Sequence, residues 1–105
     1  MTEYAAKRDP NRCPTHPGAI LRDDVLPALR ISVAGAARAL GVSRQFLHRI
    51  LAEQSPVSIE MALRLGKLCG NGPLIWYRMQ EAYDFWHAQN ALRKEIEKIP
   101  TMKAA

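Results

Sequence analysis

The chain holds few of the residues that build covalent or metal frameworks. Its two cysteines, Cys13 and Cys69, stand far apart and form no Cys-x-x-Cys pair. One bridge between them is the most the sequence allows, and two reduced thiols are the expectation. The histidines, His16, His48 and His87, are equally scattered. They form no His-Glu-x-x-His run and no Cys/His zinc spacing. A Gly-x-Ser-x-Gly elbow and a phosphate-binding loop are also missing. No catalysis, metal or cofactor is expected. No apolar run is long enough to cross a membrane, and the opening MTEYAAKRDPNRCP has no apolar signal core. A cytoplasmic protein is expected. No internal repeat or low-complexity tract is visible.

One further absence is more pointed. Residues 25–52 contain no Asp or Glu, yet they include Arg30, Arg38, Arg44 and Arg49. The formal net charge of the chain is +5, and its crowding into one segment says more than its size. Such crowding is what neutralising a phosphate backbone requires. The 105 residues suffice for one domain with a modest core, and a 48% hydrophobic content argues for a folded chain.

That acid-free segment carries the strongest pattern. Residues 31–50 read ISVAGAARALGVSRQFLHRI, two short helices joined by a tight turn. Ser32 suits the N-cap of the first helix. Ala36 and Ala37 are small where a second helix crosses. Gly41 supplies the left-handed backbone that ends the first helix. Val42 plugs the corner and Ser43 caps the second helix. Phe46 or Leu47, with Ile50 and Leu51, gives that helix an inward face. Arg44, Gln45, His48 and Arg49 are left pointing outward. Arg and Gln are the side chains that pair two-point fashion with guanine and adenine edges in the major groove.

Around this module the chain reads as helices. Residues 1–14 look like a loose arm, its cations Lys7, Arg8 and Arg12 diluted by Glu3 and Asp9. A first helix is expected from Pro17 to Val25 or Leu26, with Ile20, Leu21, Val25 and Leu26 inward. Pro27 ends or bends it, and Leu29 and Ile31 lead into the core. Ser58 caps a fourth helix patterned by Ile59, Ala62, Leu63, Leu65, Gly66 and Leu68, and Gly70 stops it. Gly66 marks a close helix contact. Pro73 opens a long last helix reaching Ile96 or beyond. Trp76, Met79, Tyr83 and Trp86 repeat along it at spacings of three, four and three, widened by Ile75, Ala82 and Phe85. This is more large apolar surface than a small core needs, so part of it is expected to face another chain. The reading is a compact all-α fold of five helices, with residues 15–98 as the domain and 99–105 as a tail.

Four segments together, HPGAILRDDVLPAL, ARALGVSRQFLHRIL, SIEMALRLGKLCG and IWYRMQEAYDFW, resemble the HigA-type antitoxins. These belong to the lambda-repressor-like (Xre) helix-turn-helix proteins. The resemblance runs from about His16 to Trp86. It implies a homodimer that binds an inverted-repeat operator of its own operon. It also implies a partner toxin, an mRNA-cleaving protein of the HigB/RelE-like kind. Carried over by position, Ser43, Arg44, Gln45 and Arg49 become operator contacts, with His48 a further outward position. The Trp76, Met79, Tyr83 and Trp86 stripe corresponds to the C-terminal helix used for the fold and for dimer contacts. Two departures stand out. The family's Asn-Gly-Lys or Asn-Gly-Arg turn is here Ala52-Glu53-Gln54. The Ser or Thr that precedes the last helix is here Gly72.

Read as a DNA-binding protein, the chain would place Ser43 on a phosphate, Gln45 on an adenine edge and Arg44 or Arg49 on a guanine. Arg38 and Arg30 would serve phosphate or solubility. Asp23, Asp24, Glu60, Glu81 and Asp84 are the acidic candidates for a basic toxin. Two other readings stay open: a stand-alone transcription regulator without a toxin, and an interaction module that no longer binds DNA.

Overall fold

The computed structural model describes residues 11–104, and all of their regular structure is helical. Helix α1 covers residues 17–29, α2 Val33–Leu40, α3 Arg44–Leu51, α4 Ile59–Cys69, α5 Pro73–Ala91 and α6 Arg93–Glu97. Serines fix three of the starts. Ser32, Ser43 and Ser58 hold extended backbone, and their hydroxyls accept from the N–H groups of Gly35, Phe46 and Met61 at 3.0, 3.0 and 3.1 Å. Each hydroxyl satisfies a donor that the first helical turn leaves unpaired. Pro73 opens α5 after Gly72, which has no side chain to cap with.

Helix α1 runs past Pro27, the proline expected to end or bend it. Pro27 has no N–H to give the preceding turn. The chain answers with a wider π turn over Leu21–Val25, then resumes as α-helix over Leu26–Leu29. Arg30, left-handed at φ 53°, closes the helix, its N–H donating to the Pro27 carbonyl at 3.1 Å. The extra turn leaves Leu29 exposed instead of leading it inward, while Ile31 does pack on the core.

Helices α2 and α3 cross as expected. Ala36 and Ala37 are buried at the crossing, and Gly41 turns the chain at φ 74°. The Val42 N–H donates to the Ala37 carbonyl at 3.0 Å, which seats the half-buried Val42 in the corner. Behind this pair lies one core, whose largest fully buried side chains include Leu21, Leu47, Ile50, Met61, Leu65 and Trp76.

Helix α4 packs along α5, and Gly66 is where they meet. A Cβ on Gly66 would overlap the Gly72 carbonyl carbon and the Pro73 nitrogen, both backbone atoms. The inward face of α4 differs from the expected one. Ile59 and Leu63 are exposed, and Met61 is fully buried in their place. The buried positions 61, 62, 65 and 66 form one helical stripe, and positions 59 and 63 lie off it. Cys69 falls half-buried against the core. Gln80, buried on α5, accepts from the Val57 N–H at 2.8 Å and donates to Asp84 at 2.9 Å. It ties the loop after α3 to α5.

The last helix is shorter than expected. It breaks at Leu92 (φ −105°, ψ 9°) and restarts as α6, giving six helices among the described residues, not five. Residues 87–104 are all exposed, so no packing holds the helix straight beyond this point. Of the expected N-terminal arm, residues 1–10 with Lys7 and Arg8 lie outside the described residues. Pro14 is already buried.

Gly66→Ala tests the α4–α5 contact by its sign. Helix propensity alone predicts a gain of about 1 kcal/mol. Overlap with backbone predicts a net loss of about 1–3 kcal/mol, read as a lower urea midpoint.

Candidate nucleic-acid interface

Helix α3 has two unlike sides. Leu47, Ile50 and Leu51 are buried, and Phe46 is half-buried. Ser43, Arg44, Gln45, His48 and Arg49 are all exposed. Positions 44, 45, 48 and 49 fall on one helical face, directed away from the core. Among the described residues, the side chains of Arg44, Gln45 and His48 make no hydrogen bond or ion pair within the chain. Arg49 leans over the Phe46 ring at 5.8 Å, a contact that leaves its guanidinium donors free. Arg38 is exposed on α2, and Arg30 is exposed beyond α1. No acidic residue lies in either HTH helix to offset these cations.

The support behind α3 comes from residues on the neighbouring helices α1 and α4 and from the stretch that opens α1. At the start of α1, Gly18 lies directly against the Ile50 carbonyl oxygen, where a Cβ would overlap it. His16 fixes that approach. Its Nδ1 accepts from the Gly18 N–H at 2.9 Å, and its ring meets Tyr83 edge-on at 4.9 Å. Arg22 of α1 donates to the Leu51 carbonyl at 2.9 Å, at the end of α3. Arg64 of α4 does the same for α2, donating to the Leu40 carbonyl at 2.7 Å. Each helix of the pair thus has a C-terminal carbonyl held by an arginine from a neighbouring helix. Cations favour that end of a helix dipole.

Arg22 also explains the unusual turn. Its guanidinium meets Asp23 at 2.8 Å and Glu53 at 3.4 Å. The Asp23 carboxyl is held below its ordinary range by that hydrogen bond. The Glu53 carboxylate is therefore paired within the chain. Its backbone, however, sits at φ 63°, a left-handed conformation that favours glycine.

The Trp76, Met79, Tyr83 and Trp86 stripe faces inward. Trp76 is buried, its indole N–H donating to Asn71 at 3.2 Å, and Met79 packs on the core. Tyr83 and Trp86 are half-buried and contact His87. The apolar side chains α5 exposes are others: Leu74, Tyr77 and Phe85 lie on its opposite side, with Ile75 at the margin. Of the acidic candidates, all exposed, Asp23 and Glu60 pair with Arg22 and Arg64, and Asp84 accepts from Gln80. Asp24 and Glu81 project into solvent.

A short helix gripped from behind and bare in front is the layout of a helix-turn-helix DNA-binding domain. The comparisons agree. The chain is 38% identical over 74 residues to virulence-associated protein I of Dichelobacter nodosus, covering 70% of this chain and 68% of that one. It superposes on Pseudomonas aeruginosa antitoxin HigA, solved with the higBA promoter, with TM-score 0.79 and 38% identity over 86% of this chain and 99% of that one. Antitoxin GraA in complex with its operator gives TM-score 0.79 and 37% identity, covering 87% and 93%. No protein-family model matches the sequence. The chain belongs to the HigA-type antitoxins of the Xre helix-turn-helix family. No helix among the described residues is long and apolar enough to cross a membrane.

Two predictions follow from the support of α3. Burial lowers the His16 pKa from its ordinary 6.5, against the opposing pull of Glu53 and Asp84. The folded state thus favours neutral imidazole, whose Nδ1 must stay unprotonated to cap Gly18. That contribution is complete above 6.5 and is lost as the pH falls below it. Thermal melts from pH 7.5 to pH 5 should show a steeper fall for the wild type than for His16→Asn. In the second, Glu53→Gly relieves the left-handed strain at the cost of an exposed ion pair. A net gain of up to about 1 kcal/mol is expected in urea unfolding.

Proposed function

We propose that this chain is the antitoxin of a type II toxin–antitoxin pair. As a homodimer it represses its own operon by reading an inverted-repeat operator. It also binds and neutralises a HigB/RelE-like mRNA-cleaving toxin. The observation that carries the DNA half is the unclaimed polar face of α3. Arg44, Gln45 and His48 have no partner within the described chain, and the helix beneath them is fixed.

On this reading α3 enters the major groove N-terminus first. Ser43 holds a phosphate beside the helix N-terminus. Its hydroxyl oxygen accepts from Phe46 and its hydrogen remains to donate. Gln45 reads an adenine edge, and Arg44 or Arg49 a guanine. His48 adds an outward contact, and Arg38 neutralises backbone charge. Two such helices reach successive major grooves about 34 Å apart. The outward side of α5, with Leu74, Tyr77 and Phe85, offers the second copy an apolar surface. Residues 15–98 form the DNA-binding domain. The promoter-bound HigA and operator-bound GraA structures support this half. Family membership supports the toxin half. The work is recognition, with no step that asks for a catalyst or cofactor, and its place is the bacterial cytoplasm.

Gel-shift titration on the chain's own upstream DNA and on a scrambled fragment, at near-physiological salt, tests the proposal. The wild type is expected to prefer the native fragment. Arg44→Ala and Gln45→Ala should each cost about 1–3 kcal/mol and narrow that preference. Variants that discriminate as the wild type does would contradict the assignment. Co-purification with a small basic protein encoded beside this gene checks the toxin half.

A further inference from the structure

Helix α5 carries two charges on its outward side that nothing in the described chain uses. Positions 74, 77, 78, 81 and 85 fall within about 100° of helical arc, opposite the buried Trp76 and Gln80. Leu74 is 59% exposed there and Phe85 62%, with Tyr77 beside them. Arg78 and Glu81 stand between Leu74 and Phe85, and both are exposed. Among the described residues neither makes a hydrogen bond or an ion pair, although they lie one turn apart on the same helix.

These residues have an order that reads the same when reversed, save that the charges change sign. Leu74, Arg78, Glu81 and Phe85 run apolar, cation, anion, apolar, with steps of four, three and four residues. Turned end over end, the same steps bring Leu74 to Phe85 and Arg78 to Glu81. A two-fold axis performs that operation, since it sets residue i of one copy on residue j of the other, and j on i.

We propose that two copies meet through antiparallel α5 helices about an axis between positions 79 and 80, and that two reciprocal Arg78–Glu81 ion pairs fix their alignment. This alignment rests on the dimer read above through the outward side of α5. Leu74 of each copy then meets Phe85 of the other, at either end of a charged centre. Residues 73–86 overlap, about 20 Å of helix. Apolar area alone does not choose this arrangement. Sliding the copies to lay Leu74 over Leu92, also exposed, would lengthen the overlap. It would also set Arg78 level with Ala88 and Glu81 level with Phe85. Four charges would then lose water without gaining a partner, which is costly. Parallel helices fail on the same ground, since each Arg78 would face its own copy. The reciprocal pairs therefore select an alignment more than they add affinity. A basic partner protein fits this face less well than a second copy, because it opposes Arg78 wherever it satisfies Glu81.

Charge exchange in the full-length protein tests the alignment. Self-association is read by sedimentation, and the make-up of the dimers by native mass spectrometry. Arg78→Glu leaves two carboxylates at each pair, and Glu81→Arg two guanidinium groups. Each variant alone should raise the dimer Kd by at least about tenfold. Mixed in equal amounts, the two should form a heterodimer within about threefold of the wild-type Kd, because every pair is again of opposite sign. That recovery excludes misfolding as the cause of the single losses. The double exchange, Arg78→Glu with Glu81→Arg, should pair with itself and not mix with the wild type. Single losses that mixing does not restore overturn the alignment, and so do single variants as dimeric as the wild type. In that last case Phe85→Glu separates two faults. Loss of the dimer keeps α5 as the interface in another alignment, and an intact dimer overturns the α5 reading itself. Single variants that stay dimeric yet no longer co-purify with the small basic protein encoded beside the gene assign this face to that partner instead. A wild type that does not self-associate overturns the dimer reading and the alignment with it.

Discussion

The placement of α3 depends on one backbone-to-backbone contact. Gly18 at the start of α1 sits on the Ile50 carbonyl, with no space between them for a side chain. A contact this close allows neither partner to shift without breaking the fit. It therefore sets the depth at which α3 stands out from the domain. His16 exists to hold that contact: its Nδ1 fixes the Gly18 N–H while its ring rests on α5. The sequence His16-Pro17-Gly18 is thus a local motif with a distant purpose. The capping nitrogen and the helix-opening proline deliver a glycine to another helix.

Around that contact, charge does the work of restraint and apolar packing the work of adhesion. Arg22 and Arg64 reach from α1 and α4 to the carbonyl ends of α3 and α2. Both draw in carboxylates, Asp23 and Glu53 on one side and Glu60 on the other. Glu53 shows how a substitution that looks hostile to phosphate is absorbed. Its charge is directed to Arg22, and its cost falls on the backbone instead. Among the described residues, the cations on the bare face of α3 and Arg38 on α2 pair with no carboxylate.

Local chemistry made much of this legible. Ser32, Ser43 and Ser58 each cap as their spacing implies, Gly41 and Gly70 end helices as left-handed residues, and Pro73 begins one. The outward face of α3 followed from period alone, because Leu47, Ile50 and Leu51 leave only one side exposed. What escaped was non-local. Nothing near Arg22 or Arg64 in sequence tells which carbonyl each will find. Pro27 left open whether α1 ends or bends there, because a π turn can be inferred only once the packing that sustains α1 is known. Met61 was hidden beside the more conspicuous Ile59 and Leu63, and the apolar stripe of α5 outweighed Gln80, the polar residue that joins it to the loop.

That glutamine has a mechanical meaning. Through Gln80 and the Val57 N–H, the loop leaving the reading helix is fastened to the middle of α5. This bond couples the two in one rigid frame. On the proposed reading, a dimer joined through α5 makes them the arms of a calliper whose opening is set by protein, not by DNA. Such an instrument measures distance before it reads letters. On that reading, an operator with correct half-sites at the wrong separation is refused on length, and DNA that can twist to restore the gap is accepted at the cost of its own deformation.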